Sequence, residues 1–217
     1  DTLDRTLYER VGDVQAFALN TIVRDPNNWQ GKNQTYLVDV MNQYVPIYGL
    51  YEVMMVVDAK GVIQAMNTRG ADGKILKKSL IGQNVGKESW FLKAMAEDFP
   101  KTKGGKSLGT YVQGPERSKI VDSVYGRNDS YAIVFSAPIK DFQGRTIGVW
   151  VNFADIDFVD SIFEEIHDVN VRDKIPNTDV TIIDKTGLLI FEYDGNLTLQ
   201  QNKKRNFDKI GKANLVK

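Results

Sequence analysis

The chain has 217 residues, with 28 Lys plus Arg against 28 Asp plus Glu, no cysteine and one histidine. Zero net charge argues against general nucleic-acid binding, which needs a basic excess. The missing cysteines exclude disulfides and thiolate zinc sites, and the single His167 excludes a histidine-rich metal centre. No apolar run approaches the roughly 20 residues that cross a bilayer, and no signal-peptide pattern is present. The chain starts at Asp1 inside a helical pattern and stops at Lys217 without an evident end, which suggests a piece of something longer.

Residues 1–48 read as a long helical segment. Leu3, Leu7, Val11, Val14 and Ala18 step along one helix stripe. Pro26 interrupts it, because proline removes a helix hydrogen bond. Leu37, Val40, Met41 and Tyr44 make a second helix, expected to end before Pro46. Packing against a core explains this segment; a dimer seam that continues into a membrane is the further expectation.

From Val53 the texture turns to strands. Val53–Val57 and Val62–Met66 flank Asp58-Ala59-Lys60-Gly61, where Asp suits the first turn position and Gly61 the positive φ. Thr68–Leu80 reads as loop, Glu88–Ala96 as a short helix carrying Trp90, Phe91 and Met95, and Thr102–Gly109 as a mobile Gly/Lys loop. Three strands follow, Gly109–Gln113, Tyr131–Pro138 and Thr146–Phe153, the last two joined through Lys140–Gly144. About five strands with helices outside them make an α+β fold. Asp157–His167 reads as a helix with Asp157 as its N-cap.

The pattern of Met55–Gln64, "MVVDAKGVIQ", then recurs at Thr181–Ile190 as "TIIDKTGLLI". The repeat predicts a second hairpin over Asp179–Tyr193. The polar residues 194–217 cannot supply three more strands, so the second copy is truncated or reduced, and truncation is favoured. The expected divisions are 1–48 (helical), 49–156 (first module), 157–178 (connecting helix and linker) and 179–217 (partial second module).

Catalytic patterns fail one by one. Gly104-Gly105-Lys106-Ser107 resembles the end of a phosphate loop, but Pro100 stands where the first glycine belongs. Glu164 and Glu165 are adjacent on a helix and point apart. His167 has no nucleophile elbow to serve. Asp122–Asp129 lacks calcium-loop spacing. No catalytic residue, metal ligand or cofactor is expected.

A binding pocket survives. The strands Tyr131–Pro138 and Ile147–Phe153 are apolar on both faces, as in a sheet covered on both sides. Segment 1–48 would cover one face, and the insert around Trp90 and Tyr111 the other. Ser136 and Asn152 interrupt the apolar runs, and Tyr111 and Gln113 alternate onto one face. An apolar cavity with a few converging polar groups is the form of a small-ligand site. Trp90 and Phe91 offer flat surfaces to an aliphatic or cationic group, whereas Trp150 reads as core. The candidate ligand residues are Lys87, Trp90, Phe91, Tyr111, Gln113, Ser136 and Asn152.

The N-terminal helix, the two "VVD..G"-type hairpins, "SWFLKAM" and "AIVFSAPIKDFQGRTIGVWVNFADIDFVDSIF" together resemble the double-Cache extracytoplasmic sensor domains. Those domains occur in bacterial methyl-accepting chemotaxis receptors, sensor kinases and diguanylate cyclases. The resemblance covers about residues 1–215. It implies two PAS-like modules on a long helix, ligand in the membrane-distal module (here 49–156), an inner-membrane receptor with this part in the periplasm, and a homodimer through the N-terminal helix. Amino-acid-binding members carry Arg two residues before a Trp-Tyr pair and Asp at the end of the last distal strand. Here Glu88 precedes Trp90-Phe91, and Asp155 falls out of register. Losing the two-pronged Arg argues against a standard α-amino-acid site, and Lys87 would replace it only as a point charge. An organic acid, an amine, an amino acid or a purine-like molecule all remain as ligand. A sensing module without catalysis is the reading; a kinase or cyclase ectodomain and a ligand-free interaction module are the alternatives.

Overall fold

In the computed structural model, residues 2–102, 104–159, 162–163, 179–183, 187–210 and 212–215 are described. The helical segment breaks at Pro26. Helix α1 spans Thr2–Ala18, a 3-10 turn spans Pro26–Trp29, and α2 spans Gly31–Tyr48. Asp25 caps the turn by accepting from the Asn27 N–H at 3.0 Å, and buried Trp29 donates from Nε1 to the Val23 carbonyl at 2.8 Å. The two helices pack together, with Phe17 stacked on Tyr44 at 4.7 Å between ring centres. Val11, Val14, Ala18, Leu37 and Met41 are buried as the stripes predict. The expected stop before Pro46 is wrong. Pro46 sits exposed in the last turn of α2, where its missing N–H leaves only one carbonyl unbonded, and Gly49 in the left-handed region closes the helix onto Val45 at 2.9 Å.

Five strands form one antiparallel sheet: β1 Tyr51–Asp58, β2 Ile63–Met66, β3 Tyr111–Arg117, β4 Tyr131–Lys140 and β5 Thr146–Asp155, in the order β2-β1-β5-β4-β3. The expected α+β architecture is borne out. In the first turn Asp58 Oδ1 accepts from Lys60 N and Val62 N, both at 2.9 Å, and Gly61 holds φ 82°. β1, β4 and β5 are buried on both faces, which explains their unbroken apolar sequences. Met54, Val56, Phe135 and Trp150 face α1 and α2; Val53, Val134, Val151 and Phe153 face the insert.

The insert carries α3, Ser89–Met95, as expected, and α4, Lys119–Tyr125, which the sequence reading missed. Its signals are ordinary. Ser118 Oγ caps its start by accepting from the Val121 N–H, and Gly126 at φ 66° ends it. Asp122 serves this cap loop, accepting from the Ser130 N–H at 2.9 Å.

After β5 the chain enters a helical turn from Asp157. Asp155, rather than the expected Asp157, presents its carboxylate there and accepts from the Asp157 N–H at 3.1 Å. Glu164, Glu165 and His167 lie outside the described residues. The second hairpin forms as the repeat predicts, with β6 Asp179–Ile183 paired to β7 Leu189–Asp194 and Gly187 at φ 83°; Asp184 lies outside the described residues. Helix α5, Leu199–Lys209, begins with a capping box between Thr198 and Gln201. Phe163 stacks on Phe191 at 5.0 Å and joins this hairpin to the helix-side core.

Candidate functional site

The insert face of the sheet holds the candidate site. α3 lies across β4 and β5, held where Ser136 Oγ donates to the Trp90 carbonyl at 3.0 Å. The Trp90 ring stands edge-on to Phe153 at 5.9 Å and to Phe91 at 6.2 Å. Beside Trp90 opens a cavity of about 150 Å³, floored by Val134 and Phe153 and rimmed by Glu88, Glu116, Arg117 and Lys119. Those four rim residues are exposed, so solvent reaches the mouth while the floor stays apolar.

The sequence-predicted residues divide. Trp90, Phe91, Tyr111, Gln113 and Ser136 come together on the insert face, Tyr111 opposite Ser136 and Gln113 opposite Val134 across β3 and β4. Gln113 donates from Nε2 to Glu116, while its Oε1 is buried without a hydrogen-bond partner. Trp90 and Phe91 are themselves 1% and 4% exposed, so both are core residues, and of the two only Trp90 also lines the cavity.

Two expectations need correction. Asn152 lies on the opposite face, between the sheet and α1. It is fully buried there and accepts from Trp150 Nε1 at 2.7 Å. Alternation along β5 sends 151 and 153 to the pocket and 152 to the helices. On that helix side Tyr51 donates to Asp13 at 2.9 Å, and burial raises both of their pKa values. Lys87 is exposed just before α3, and its neighbour Glu88 lines the cavity instead. Sequence reasoning missed Glu116, Arg117 and Lys119. The only available signal was the cap at Ser118, which turns the chain from β3 into α4 and brings these charges to the rim.

Two carboxylates and two cations around an aromatic wall complement a small dipolar molecule. Among the described residues, no group of three or more His, Cys, Asp or Glu is placed to hold a metal ion.

No protein-family model and no curated protein matches the chain. Solved structures do match. The ligand-binding domain of a Pseudomonas aeruginosa amino-acid chemoreceptor in complex with GABA is 14% identical, with TM-score 0.58 over 92% of this chain and 73% of that one. A Campylobacter jejuni chemoreceptor domain in complex with 4-methylisoleucine is 11% identical, with TM-score 0.59 over 88% and 64%. The domain of a sensory-box/GGDEF-family protein from Vibrio parahaemolyticus is 13% identical, with TM-score 0.59 over 86% and 64%. The fold is that of the Cache/PAS-like sensor domains. This bears out the Cache/PAS-like fold that the sequence resemblance implies. The chain spans a little under two thirds of the last two of these structures, 64% of each. Among the described residues, no helix of this Cache-type fold is long and apolar enough to cross a membrane.

Proposed function

We propose that the chain is the ligand-sensing part of a transmembrane chemoreceptor, binding a small molecule in the Trp90 cavity without catalysis. The observation that carries this reading is the cavity itself. It is concave, apolar at its floor and charged at its rim, in a fold shared with chemoreceptor domains that hold amino acids and GABA. Trp90, Val134 and Phe153 form its apolar wall, with Glu116 and Lys119 as polar contacts, and Phe91, Tyr111, Gln113 and Ser136 stand behind or beside them on the same face of the sheet. A ligand signals only if its affinity differs between two arrangements of the protein, and β5, which carries Phe153 in the floor, is the natural element to shift.

The proposed divisions remain 1–48, 49–156, 157–178 and 179–217, with the ligand in the second of these. We place the chain outside the cytoplasm, as part of an inner-membrane protein, and pair it as a homodimer through its N-terminal helices. Tyr8 on α1 and Tyr36 and Ile47 on α2, 66%, 58% and 75% exposed, support such a contact. A sensor-kinase or cyclase ectodomain is the second reading, favoured by the Vibrio neighbour.

The test is a thermal-shift panel of amino acids, organic acids, amines, purines and polyols. A ligand at one hundred times its Kd stabilises by about 2.7 kcal/mol, or roughly 5–11 °C in a chain of this size. Trp90→Ala is a poor probe, because emptying so buried a site costs about 3–5 kcal/mol by itself. Glu116→Gln and Lys119→Gln change only the rim and are expected to weaken a true ligand about tenfold or more, about 1.4 kcal/mol. A ligand whose affinity ignores both substitutions binds elsewhere. A silent panel, with nothing released on denaturation, would leave the cavity as packing.

A further inference from the structure

A second set of charges gathers where β5 leaves the five-stranded sheet. Glu52 on β1 is 9% exposed. Its Oε1 is ion-paired with Arg127, and its Oε2 is buried with no hydrogen-bond partner. Asp155 at the end of β5 and Asp157 in the helical turn after it face it, and Asp129 follows Arg127 in the loop after α4. From α4, Tyr125 donates to the Glu52 backbone carbonyl at 3.1 Å, and the Arg127 guanidinium lies over the Tyr125 ring at 4.9 Å. After β2, neutral Asn67 donates to the same carbonyl at 2.9 Å.

Next to this cluster is a cavity of about 120 Å³ with walls from both parts of the chain. Arg127, Asp129 and Asp155 form one side; Phe191, Asn206 and Ile210, from the second hairpin and α5, form the other. The hairpin and α5 thus close over Arg127, Asp129, Asp155 and Asp157, the charges that surround Glu52.

We propose that this cluster is a proton-operated latch: a proton on Glu52 keeps the second hairpin and α5 seated against the end of β5, and its loss loosens them. Desolvation disfavours a buried carboxylate, and neighbouring carboxylates add to that. Burial first, then Asp155, acting against Arg127, push the Glu52 carboxyl from 4.5 up to about 7. The seated state thus holds a proton that the solvated state releases. The seated state is most favoured below pH 4.5, loses ground as pH rises from there through about 7, and is weakest above it. By the same linkage, any ligand that seats the hairpin takes up a proton. β5 joins the two regions directly, since Phe153 in the pocket floor and Asp155 in the latch share one face of the strand two residues apart.

The test compares wild type with Glu52→Gln, which mimics the protonated form, by hydrogen exchange at the Glu192 and Asp194 amides. At about pH 8 these amides should exchange about tenfold or more faster in wild type than in the variant, and at about pH 3.5, below both Glu52 values, the two should agree. Equal exchange at both pH values overturns the latch. If the variant does not fold, carbon-13 titration of Glu52 in wild type decides instead. A midpoint near 4.5, or a midpoint near 7 with no accompanying change at those amides, overturns it; a midpoint near 7 with loosening along the same titration supports it.

Discussion

The two hairpins begin from nearly the same sentence and end in different surroundings. In the first, β1 is paired on both edges, to β2 and β5, and is buried on both faces. In the second, β6 pairs with β7 alone among the described strands, and its residues alternate between exposed and half-buried. The outer edge of β7 is covered by side chains. Asn206 accepts from the Glu192 N–H and donates to its carbonyl, both at 2.7 Å, and Asn202 does the same for Asp194 at 2.9 and 3.0 Å. Two asparagines one turn apart on α5 thus do for β7 what a neighbouring strand does for β1. A hairpin motif specifies its own turn and register, while the number of strands beside it depends on other segments.

Substitutions at equivalent positions sharpen this contrast. Met54→Ala empties a fully buried site in β1 and should cost about 2–5 kcal/mol in urea unfolding, whereas Val180→Ala at the matching place in β6 should cost about 1 kcal/mol. Equal costs would show that the second hairpin is as deeply packed as the first. Gly61→Ala comes next. A Cβ there would sit 2.4 Å from the Gly86 Cα, at a φ of 82°. The expected cost is about 2–3 kcal/mol, of which the left-handed position itself accounts for about 1 kcal/mol. Asn206→Ala leaves the Glu192 amide and carbonyl without partners. It should cost about 1–2 kcal/mol and speed exchange of that amide, with the β1 amides unchanged. A uniform loss across both sheets would mean that they unfold as one unit.

Much of this was legible. The Pro26 break, the Asp58–Gly61 turn, α3, the three later strands and the second hairpin each rest on signals carried within a few residues. α4 was legible as well, from Ser118 and Gly126, but seven residues of mixed charge are too short to show a clear helical period. The end of α2 was misread because the proline rule concerns helix interiors, and Pro46 stands in the last turn. For the candidate pocket, sequence reasoning put Trp90, Phe91 and Tyr111 on one face of the sheet, and erred where an extra count of one residue matters. Asn152 and Phe153 are neighbours in sequence and face opposite sides of the sheet.

By itself, then, the sequence determined the local elements, the repeat, and the need for a sheet covered on both faces, because periodicity, caps and turn residues act over short range. Tertiary structure alone decided the charged rim of Glu88, Glu116, Arg117 and Lys119, the asparagine cover on β7, and the gathering of Glu52 with Arg127 and Asp155. Each of these depends on segments brought together from far along the chain. The energy of a charge or an open strand edge is set by what lies beside it in space, through desolvation and pairing, and one-dimensional order does not record that.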